Sequence, residues 1–356
     1  MKFKDLQLDD VIVLEDKKRK PLSTMDRSKR KGIYPYYGAQ EIIDSIDDYI
    51  FDGKYILLAE DGENLKSRKK DLVKIVEGKF WLNNHSHIFK VKETVDLEYL
   101  YYYLLKLDLS EYITGSTQPK LNQENMNKIN IKLPELKIQK KISKILSNID
   151  GKIKLNNEIN NNLYEEAVAL YKDKFKGIGQ GKKTIGDYIV PKRGKNLLIR
   201  NAIDGDTPVV AGGIEPSTYH NQFNTNSPVI TISASGANAG YTNLWNIPVW
   251  ASDCSYIDDS ITKNVYFWYI VLKTRQSEIF DAQTGSAQPH IYPQHIAEMS
   301  IGELNIAEVE KYNNLVAPLF KMIGENQKEN KKLSQLRDIL LPKLMNGEID
   351  LDNIEI

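Results

Sequence analysis

The chain has few of the residues and patterns on which disulfide-rich, metal-binding or membrane proteins depend. Its 356 residues include a single cysteine, Cys254, so neither a disulfide nor a site built from several thiolates is possible within one chain. No apolar stretch approaches the roughly 18 residues of a membrane span, and the first ten residues lack the apolar segment of a signal peptide. We therefore expect a cytoplasmic protein that does not enter a membrane.

An excess of charge of either sign is also missing, because 48 basic residues are balanced by 48 acidic ones. A neutral total does not indicate a nucleic-acid partner, but it does not exclude one, since phosphate binding needs a basic face and not a basic total. The length is sufficient for two domains that each have a core of their own.

Motifs of catalysis are scarce as well. The chain has no Pro-Pro pair, which an amino-methyltransferase needs in the loop that holds a flipped base, and no Walker A lysine motif. The glycines of the segment 235–240 lack the spacing of a phosphate or dinucleotide cradle. Two triplets, at 77–79 and 135–137, have the Glu-x-Lys shape of nucleases, but chance produces such triplets in a chain rich in lysine and glutamate. The sequence favours a non-catalytic protein.

What the chain does contain is a repeat, which must be found before any fold is considered. The hexamer TGSTQP at 114–119 returns as TGSAQP at 284–289, displaced by 170 positions, with five of six residues identical. Upstream, YPYYGAQ at 34–40 parallels TPVVAGG at 207–213, displaced by 173 positions. Similar segments in the same order predict that the chain is a duplication.

Other segments follow the same order. Asn84–Ile88 parallels Asp253–Ile257 at a displacement of 169, which puts His85 opposite Cys254. Two strand-like apolar runs end near a glycine, KYILLAEDG and PVITISASG, and two aromatic runs are typical of helices, LEYLYYYLLK and NVYFWYIVLK. Cys254 has no histidine suggested near it, so we interpret it as a packed thiol.

Each copy ends in a long helical pattern. Apolar residues recur in steps of three and four, which is the seam pattern of a coiled coil. In the two copies these positions are Ile138, Ile142, Ile145, Ile149, Ile159, Leu163 and Leu170, and Tyr312, Val316, Leu319, Ile323, Leu333, Leu340 and Leu344. Asn156 and Asn330 both fall on the seam, where they either fix the register of the helices or reflect an asparagine-rich sequence.

These patterns predict an α+β protein. Two mixed α/β globular domains in a pseudo-two-fold arrangement would be joined by two long antiparallel coiled-coil helices. The predicted segments are a first globular domain at 1–134, a helix at 135–175, a glycine-rich linker at 176–183, a second globular domain at 184–304, a helix at 305–346 and a tail at 347–356. Pro342 is expected to kink the last helix or to end its regular part.

Basic side chains cluster in loops of both copies. The first copy has a run at 17–31 and another at 66–70, and the second copy has a run at 192–200. Such loops suit contacts to phosphate, which position a protein on nucleic acid without reading sequence, although they are equally compatible with a solvated surface. His85 and His87 would share a face of an extended segment, but no further ligands accompany them, so we predict polar loop histidines and no metal site.

The closing segment LSQLRDILLPKLMNGEIDL, at 333–351, resembles the last helix of the specificity subunits of type I restriction-modification systems. The GS-x-QP loop, the helix opening PELKIQKKISKILSNIDGKI and the doubled layout are also similar to that family, and the resemblance covers essentially the whole chain.

The resemblance implies two target recognition domains, each reading one half of a bipartite sequence in double-stranded DNA. The helices would set the spacing of the half-sites and dock two methyltransferase subunits, which a restriction and translocase subunit joins. It implies no cofactor in this chain, because the partner subunits would use S-adenosylmethionine, ATP and Mg²⁺. The second copy has GELNIAEVEKYNN where the first has LPELKIQKKISKI, so the two docking surfaces cannot be identical.

Base reading requires bidentate groups such as Arg on guanine or Gln on adenine. The glutamines shared by both copies favour backbone contact or bracing of the loop, and base readers are expected where the copies differ, such as Asn64 and Arg68 against Asn238 and Tyr241. The predicted DNA-contacting residues are Lys18, Arg19, Arg30, Lys66, Arg68, His85, Ser116, Gln118, Lys120, Arg193, Lys195, Ser235, Asn238, Tyr241, Ser286, Gln288 and His290.

Two other interpretations remain open from the residues alone. One is a coiled-coil scaffold whose globular ends bind proteins, and the other is a self-contained methyltransferase or nuclease. Salt-dependent DNA binding discriminates against the first, and an activity assay of the chain without partners tests the second.

Overall fold

A computed structural model describes residues 2–39, 41–285 and 288–351. The chain divides into two compact units, one made of residues 1–152 with 333–356 and the other of residues 153–332. Each unit is therefore a globular domain together with part of two long helices. Within the described ranges, no helix is both long enough and apolar enough to cross a membrane.

The first globular domain and the helix that follows it contain eight strands and six helices. They are β1 (Lys4–Gln7), α1 (Leu8–Val11), β2 (Ile12–Leu14), α2 (Thr24–Lys29), β3 (Lys31–Tyr37), β4 (Ile42–Ile46), β5 (Phe51–Ala59), α3 (Asn64–Ser67), β6 (Val73–Leu82), β7 (Ser86–Val91), α4 (Leu97–Lys106), α5 (Gln123–Asn127), β8 (Asn130–Leu133) and α6 (Leu136–Lys174).

The remainder of the chain adds nine strands and four helices within the described residues. They are β9 (Lys183–Thr184), β10 (Lys192–Arg193), β11 (Thr207–Val210), β12 (Thr218–His220), β13 (Val229–Ser233), β14 (Thr242–Trp245), β15 (Trp250–Ala251), β16 (Cys254–Ile257), α7 (Val265–Thr274), α8 (Gln276–Asp281), α9 (Pro293–Ala297), β17 (Ser300–Ile301) and α10 (Ile306–Met345). The α+β class, with two mixed domains and two long helices, is confirmed.

Both units use the same strand plan. The first has a six-stranded sheet in the order β2-β7-β5-β6-β3-β4 and a separate pair β1-β8. The second has the order β10-β16-β13-β14, a smaller sheet β12-β11-β15 and a separate pair β17-β9. In each unit the first and last strands of the globular domain pair with each other, antiparallel, beside the long helices.

The strand register confirms the duplication and corrects one part of the predicted alignment. Tyr36 pairs with Trp81 in parallel, and Val209 pairs with Trp250 in the same way, which reproduces the displacements of 173 and 169. The amide of Glu60 donates to the carbonyl of His85, whereas the equivalent amide of Ala234 donates to that of Asp253. His85 therefore corresponds to Asp253 and not to Cys254, because the second copy has one residue fewer before this strand.

The helix stripes predicted from the sequence are buried or half-buried at every position. In the first unit, Ile142 and Leu146 of α6 belong to the same apolar core as Leu341 and Leu344 of α10. In the second unit, the hydroxyl of Tyr312 donates to the carbonyl of Ala167 at 2.8 Å. The residue numbers run in opposite directions along the two helices, so the helices are antiparallel within each unit.

Asparagine occupies the seam in the second unit. Asn156 is 1% exposed, and its amide donates to Asn330 Oδ1 and to Glu329 Oε2, both at 2.8 Å. Asn326 donates to Asn160 Oδ1 at 2.8 Å one turn away. The two seam asparagines therefore face each other, as the register interpretation requires.

Pro342 does not end the last helix, which continues to Met345. Pro318 also lies inside α10. Each proline removes one backbone donor from the helix, and α10 keeps its helical assignment through both positions.

Candidate nucleic-acid interface

The repeated hexamer forms a closed loop on the surface of the first unit. Thr114 and Lys120 exchange two backbone hydrogen bonds of 2.8 Å, and the residues from 114 to 118 are exposed. Gly115 has a φ of +84°, and a Cβ at this position would lie 2.2 Å from the carbonyl oxygen of Gln118. Only glycine fits this turn without strain, which explains a glycine at this point.

The second unit repeats the loop in detail. Thr284 and His290 exchange backbone hydrogen bonds of 3.0 and 2.8 Å, and Gly285 has a φ of +93°. A Cβ on Gly285 would approach the carbonyl oxygen of Gln288 to 2.5 Å. The motif is thus required by backbone geometry, while Gln118 and Gln288 remain exposed. The predicted contact residue Ser286 lies outside the described residues.

Several predicted residues of the first unit gather at this loop. The ammonium of Lys66 donates to the carbonyl of Ser116 at 2.5 Å, and Lys120 lies 3.3 Å from Glu60 Oε1. Asp61 forms a β-bridge with Lys120, and its carboxylate accepts from His85 Nδ1 at 2.9 Å. The His85 side chain is 50% exposed, so this cluster presents polar groups to solvent.

An equivalent cluster lies at the second loop. Ser235 forms a β-bridge with His290, and its hydroxyl donates to Asp253 Oδ2. Arg193 donates to the other oxygen of Asp253 at 2.6 Å and is 42% exposed. His290 stacks on Tyr292 with ring centroids 6.0 Å apart. The predicted residues Arg193, Ser235 and His290 are therefore neighbours in space.

Arg19 and His87 are corrected to interior residues. The Arg19 side chain is 12% exposed and contacts Glu60 at 2.7 Å, Asp16 at 3.2 Å and the carbonyl of Ser86 at 2.6 Å. His87 is 1% exposed, with Nδ1 2.6 Å from Asp16 and Nε2 2.8 Å from the carbonyl of Leu121. Arg19 is thus occupied by internal partners, and His87 is a buried strand residue and not a polar loop residue.

Other residues of the first basic run are also paired with acidic residues, most of them distant in sequence. Arg30 contacts Asp47 at 2.9 Å and lies 4.9 Å over the Trp81 ring, and Lys31 contacts Asp44 at 2.5 Å. Lys18 pairs with Glu15 at 2.9 Å, and its side chain is 61% exposed. Five of the eight basic residues between 17 and 31 are thus paired with carboxylates, so the run is less of a free basic patch than its sequence suggested.

The second basic run, around α3, is partly structural. Arg68 adopts a left-handed conformation with φ of +47° and donates to the carbonyl of Leu107 at 3.0 Å. Asn64 exchanges two hydrogen bonds with the backbone of Lys70, at 2.7 and 2.9 Å, so it braces the turn. Asn64 thus supports the turn, and Arg68 is partly engaged with the residues that follow α4.

Asn238 and Tyr241 form the corresponding turn of the second unit. The amide of Tyr241 donates to the carbonyl of Asn238 at 2.9 Å, and the Tyr241 ring lies 4.3 Å from the ammonium of Lys273. Burial lowers the pKa of Lys273. Lys195 is exposed in the loop after β10. These three predicted residues are accessible or half-buried, as contact residues must be.

Only one group of side chains in the described residues has the geometry to hold a metal ion, namely Asp16, Glu60 and His87. The guanidinium of Arg19 contacts both carboxylates and provides the positive charge that a cation would otherwise supply. We therefore assign no metal to this group. Cys254 is fully buried, and burial raises the pKa of its thiol to about 12, as expected of a packed residue.

Sequence reasoning missed Asp61 and Asp253, which hold His85 and Arg193 at the two loops. The sequence contains a signal for both aspartates, because each lies in a segment that recurs in the two copies. It was overlooked because the alignment was one residue out of register at the second segment.

Residues 1–165 match the family described as the type I restriction modification DNA specificity domain. The chain is 31% identical over 229 residues to a type I restriction enzyme specificity subunit assigned in Haemophilus influenzae, covering 60% of this chain and 57% of that protein. It is 27% identical over 308 residues to the type I restriction enzyme MjaIX specificity subunit of Methanocaldococcus jannaschii, covering 74% and 71%.

The fold has a counterpart among solved structures. The crystal structure of a type I restriction-modification system S subunit from M. genitalium superposes with a TM-score of 0.64 over 96% of both chains. The sequence identity is 18%, so this similarity concerns the fold.

Proposed function

We propose that the chain is a type I restriction-modification specificity subunit, which residues 1–165 and the similar specificity subunits support, and that it is the sequence-specific DNA-binding subunit of such a complex. Each globular domain reads one half of a bipartite target in double-stranded DNA. The observation that carries this proposal is that the same backbone hydrogen bonds close a loop in each unit, with different partly exposed side chains beside it, His85 in the first unit and Arg193 in the second.

The long helices set the interval between the half-sites and dock the partners. This part of the proposal is supported by the continuity of α6 and α10, each of which contributes to both units. Two methyltransferase subunits bind the helical segments, and a restriction and translocase subunit joins that assembly. The two docking surfaces differ, since GELNIAEVEKYNN replaces LPELKIQKKISKI.

The chain itself performs no chemistry in this proposal. S-adenosylmethionine, ATP and Mg²⁺ are used by the partner subunits, and the complex acts on DNA in the cytoplasm. The inert environment of Cys254 and the internal pairing of His87 support a non-catalytic role, because neither group is available as a nucleophile or base.

Domain exchange tests the proposal directly. The chain is expressed with its partners, and the methylated positions of the host genome are sequenced to identify the target. Replacing residues 1–134 by the corresponding domain of another relative is expected to change one half-site only. A change in both half-sites contradicts independent reading, and methylation or cleavage by the purified chain alone contradicts its non-catalytic role.

Salt dependence provides a second test. A subunit that neutralises several phosphates loses affinity steeply as salt rises, because bound counterions are released. Binding of the assembled complex to the identified target is expected to show this slope, whereas a protein-binding scaffold shows no affinity for duplex DNA at any salt concentration.

A further inference from the structure

The backbone at the base of each loop is the same in the two units. The amide of Gly62 donates to Pro119 at 3.3 Å, and Gly236 donates to Pro289 at 3.1 Å. The amide of Leu121 donates to Glu60 at 2.8 Å, and Ile291 donates to Ala234 at 2.9 Å. Because each backbone bond of the first unit has a counterpart in the second, the two units differ at the base of the loop in their side chains.

Two positions of this frame bear side chains that contact each other. In the first unit they are Asp61 and His85, which are joined through Nδ1 at 2.9 Å. In the second unit they are Ser235 and Asp253, and Asp253 also accepts from Arg193. The same two backbone positions therefore hold a histidine ring in the first unit, and in the second unit they hold an aspartate that contacts the guanidinium of Arg193.

The two pairs offer opposite hydrogen-bonding groups. Because the Asp61 carboxylate can only accept, His85 Nδ1 carries a proton, and in the neutral form of the ring Nε2 is then an acceptor. Arg193 donates through one nitrogen to Asp253 and keeps further N–H donors in a planar fork. An acceptor is suited to the amino group of adenine or cytosine, and the fork is suited to O6 and N7 of guanine.

Exposure is consistent with this role at both positions. The His85 side chain is 50% exposed and that of Arg193 is 42% exposed, while their aspartate partners are 21% and 34% exposed. His85 and Arg193 are thus accessible, and each is oriented by a less exposed carboxylate. A side chain that reads a base must be held in one geometry in this way.

We propose that Asp61–His85 and Asp253–Arg193 are base-reading pairs beside the same loop of the two units, in which His85 accepts from the amino group of adenine or cytosine and Arg193 donates to guanine. The inference rests on the proposed function and deepens it, since it names the residues that make the two half-sites different.

The test uses the complex with its partners and a panel of duplexes in which each position of the target is changed singly. Arg193→Lys keeps the charge and loses the planar fork, so discrimination at one guanine of the second half-site is expected to fall about ten- to hundredfold. His85→Ala is expected to cause a similar loss at one adenine or cytosine of the first half-site, with the second half-site unchanged.

Two exposed lysines, one in each unit, serve as controls. Lys195→Ala in the second unit and Lys69→Ala in the first are expected to weaken all sequences equally, and any lysine that contacts phosphate lowers the salt slope by about one. Asp61→Asn keeps an oxygen that accepts from His85 and is expected to preserve the discrimination. Because His85 and Arg193 are partly exposed, neither substitution removes a core side chain.

The proposal is overturned if His85→Ala and Arg193→Lys weaken every duplex of the panel to the same extent, which is the behaviour of phosphate contacts. It is also overturned if Arg193→Lys alters discrimination at a base pair that contains no guanine, or if His85→Ala alters discrimination in the second half-site. Failure of the underlying function is recognisable separately, because the wild-type complex would then show no preference among the duplexes.

Discussion

In the two units, the interior side chains below the same loop differ in charge. Below the first loop, Glu60, Arg19 and Asp16 form a buried ionic network with His87, and His87 contacts the carbonyl of Leu121 next to the loop. Below the second loop, Ala234 stands in the place of Glu60, and the strand register puts Ser255 in the place of His87. The same loop backbone is therefore compatible with either ionic or neutral side chains at these two positions below it.

The comparison separates what a duplicated fold must keep from what it can change. The positive-φ glycines and the backbone bonds of the loop recur in both units, because backbone geometry leaves no alternative there. The groups around the loop diverge, because their geometry is set by neighbours that can be replaced together. We therefore expect substitutions of the loop glycines to act alike in both units. Substitutions of the side chains below the loop are expected to act differently.

The largest difference is expected for the two arginines next to the strands β7 and β16. Arg19→Ala removes the guanidinium that bridges the largely buried carboxylates of Asp16 and Glu60, and loss of one partner of such a group typically costs about 3–5 kcal/mol. Arg193→Ala removes a half-exposed ion pair and is expected to cost less than about 1 kcal/mol. Hydrogen exchange in β5 and β7, compared with β13 and β16, measures each effect, and Lys17→Ala is the control. Equal losses in the two units would show that the supports do not differ.

The loop glycines should behave alike. Gly115→Ala and Gly285→Ala each place a Cβ within 2.5 Å of a carbonyl oxygen, at a φ of +84° or +93°. We expect a strain of about 1–3 kcal/mol in each loop and a corresponding loss of affinity confined to its own half-site. DNA-binding titrations on targets with one half-site altered measure this loss. Gly179→Ala, where nothing lies within 4 Å, should have no such effect, and a change at both half-sites would argue against independent loops.

A smaller difference is expected between the two parts of the helix pair. The second unit joins the helices through the buried Asn156–Asn330 contact, whereas the first uses Asp150 and Arg337, 2.9 Å apart and about one third exposed. A double-mutant cycle to leucine at the asparagines is expected to give a coupling energy of about 1 kcal/mol. The cycle to alanine at the ion pair should give about half as much, measured by urea unfolding. A stronger ion pair would reverse this order.

The smallest effect concerns the turn at α3. Arg68→Gly and Arg68→Ala both remove the contacts of the side chain, but only alanine retains the cost of a left-handed backbone. The glycine variant is therefore expected to be more stable by about 1 kcal/mol, as measured by thermal unfolding. In the second unit, Gly240→Ala should be destabilising, because Gly240 has a φ of +86° and its Cβ would lie 2.9 Å from Ile279. Equal stability of the two Arg68 variants would mean that the backbone relaxes.

Much of the fold could be predicted from local patterns. The aromatic run LEYLYYYLLK is helix α4 from Leu97 to Lys106, and the long helices begin and end within one residue of the predicted bounds. These segments are long and strongly periodic, so local sequence determines them. The candidate site was harder to predict from local patterns. His85 and Arg193 were predicted as DNA contacts without the aspartates that hold them, and Arg19 was predicted as a DNA contact although its side chain is largely buried.

The sequence by itself determined the duplication, the long helices with their facing asparagines, and the glycine turn of each loop, because all of these depend on residue order and backbone sterics. Only the tertiary structure decided which basic side chains are free. Asp44, Asp47 and Glu60 approach the first basic run from distant positions and pair with Lys31, Arg30 and Arg19. A single-residue difference between the copies puts Asp253 and not Cys254 beside Arg193. Charge is a local property of a sequence, but its neutralisation depends on partners that folding brings together.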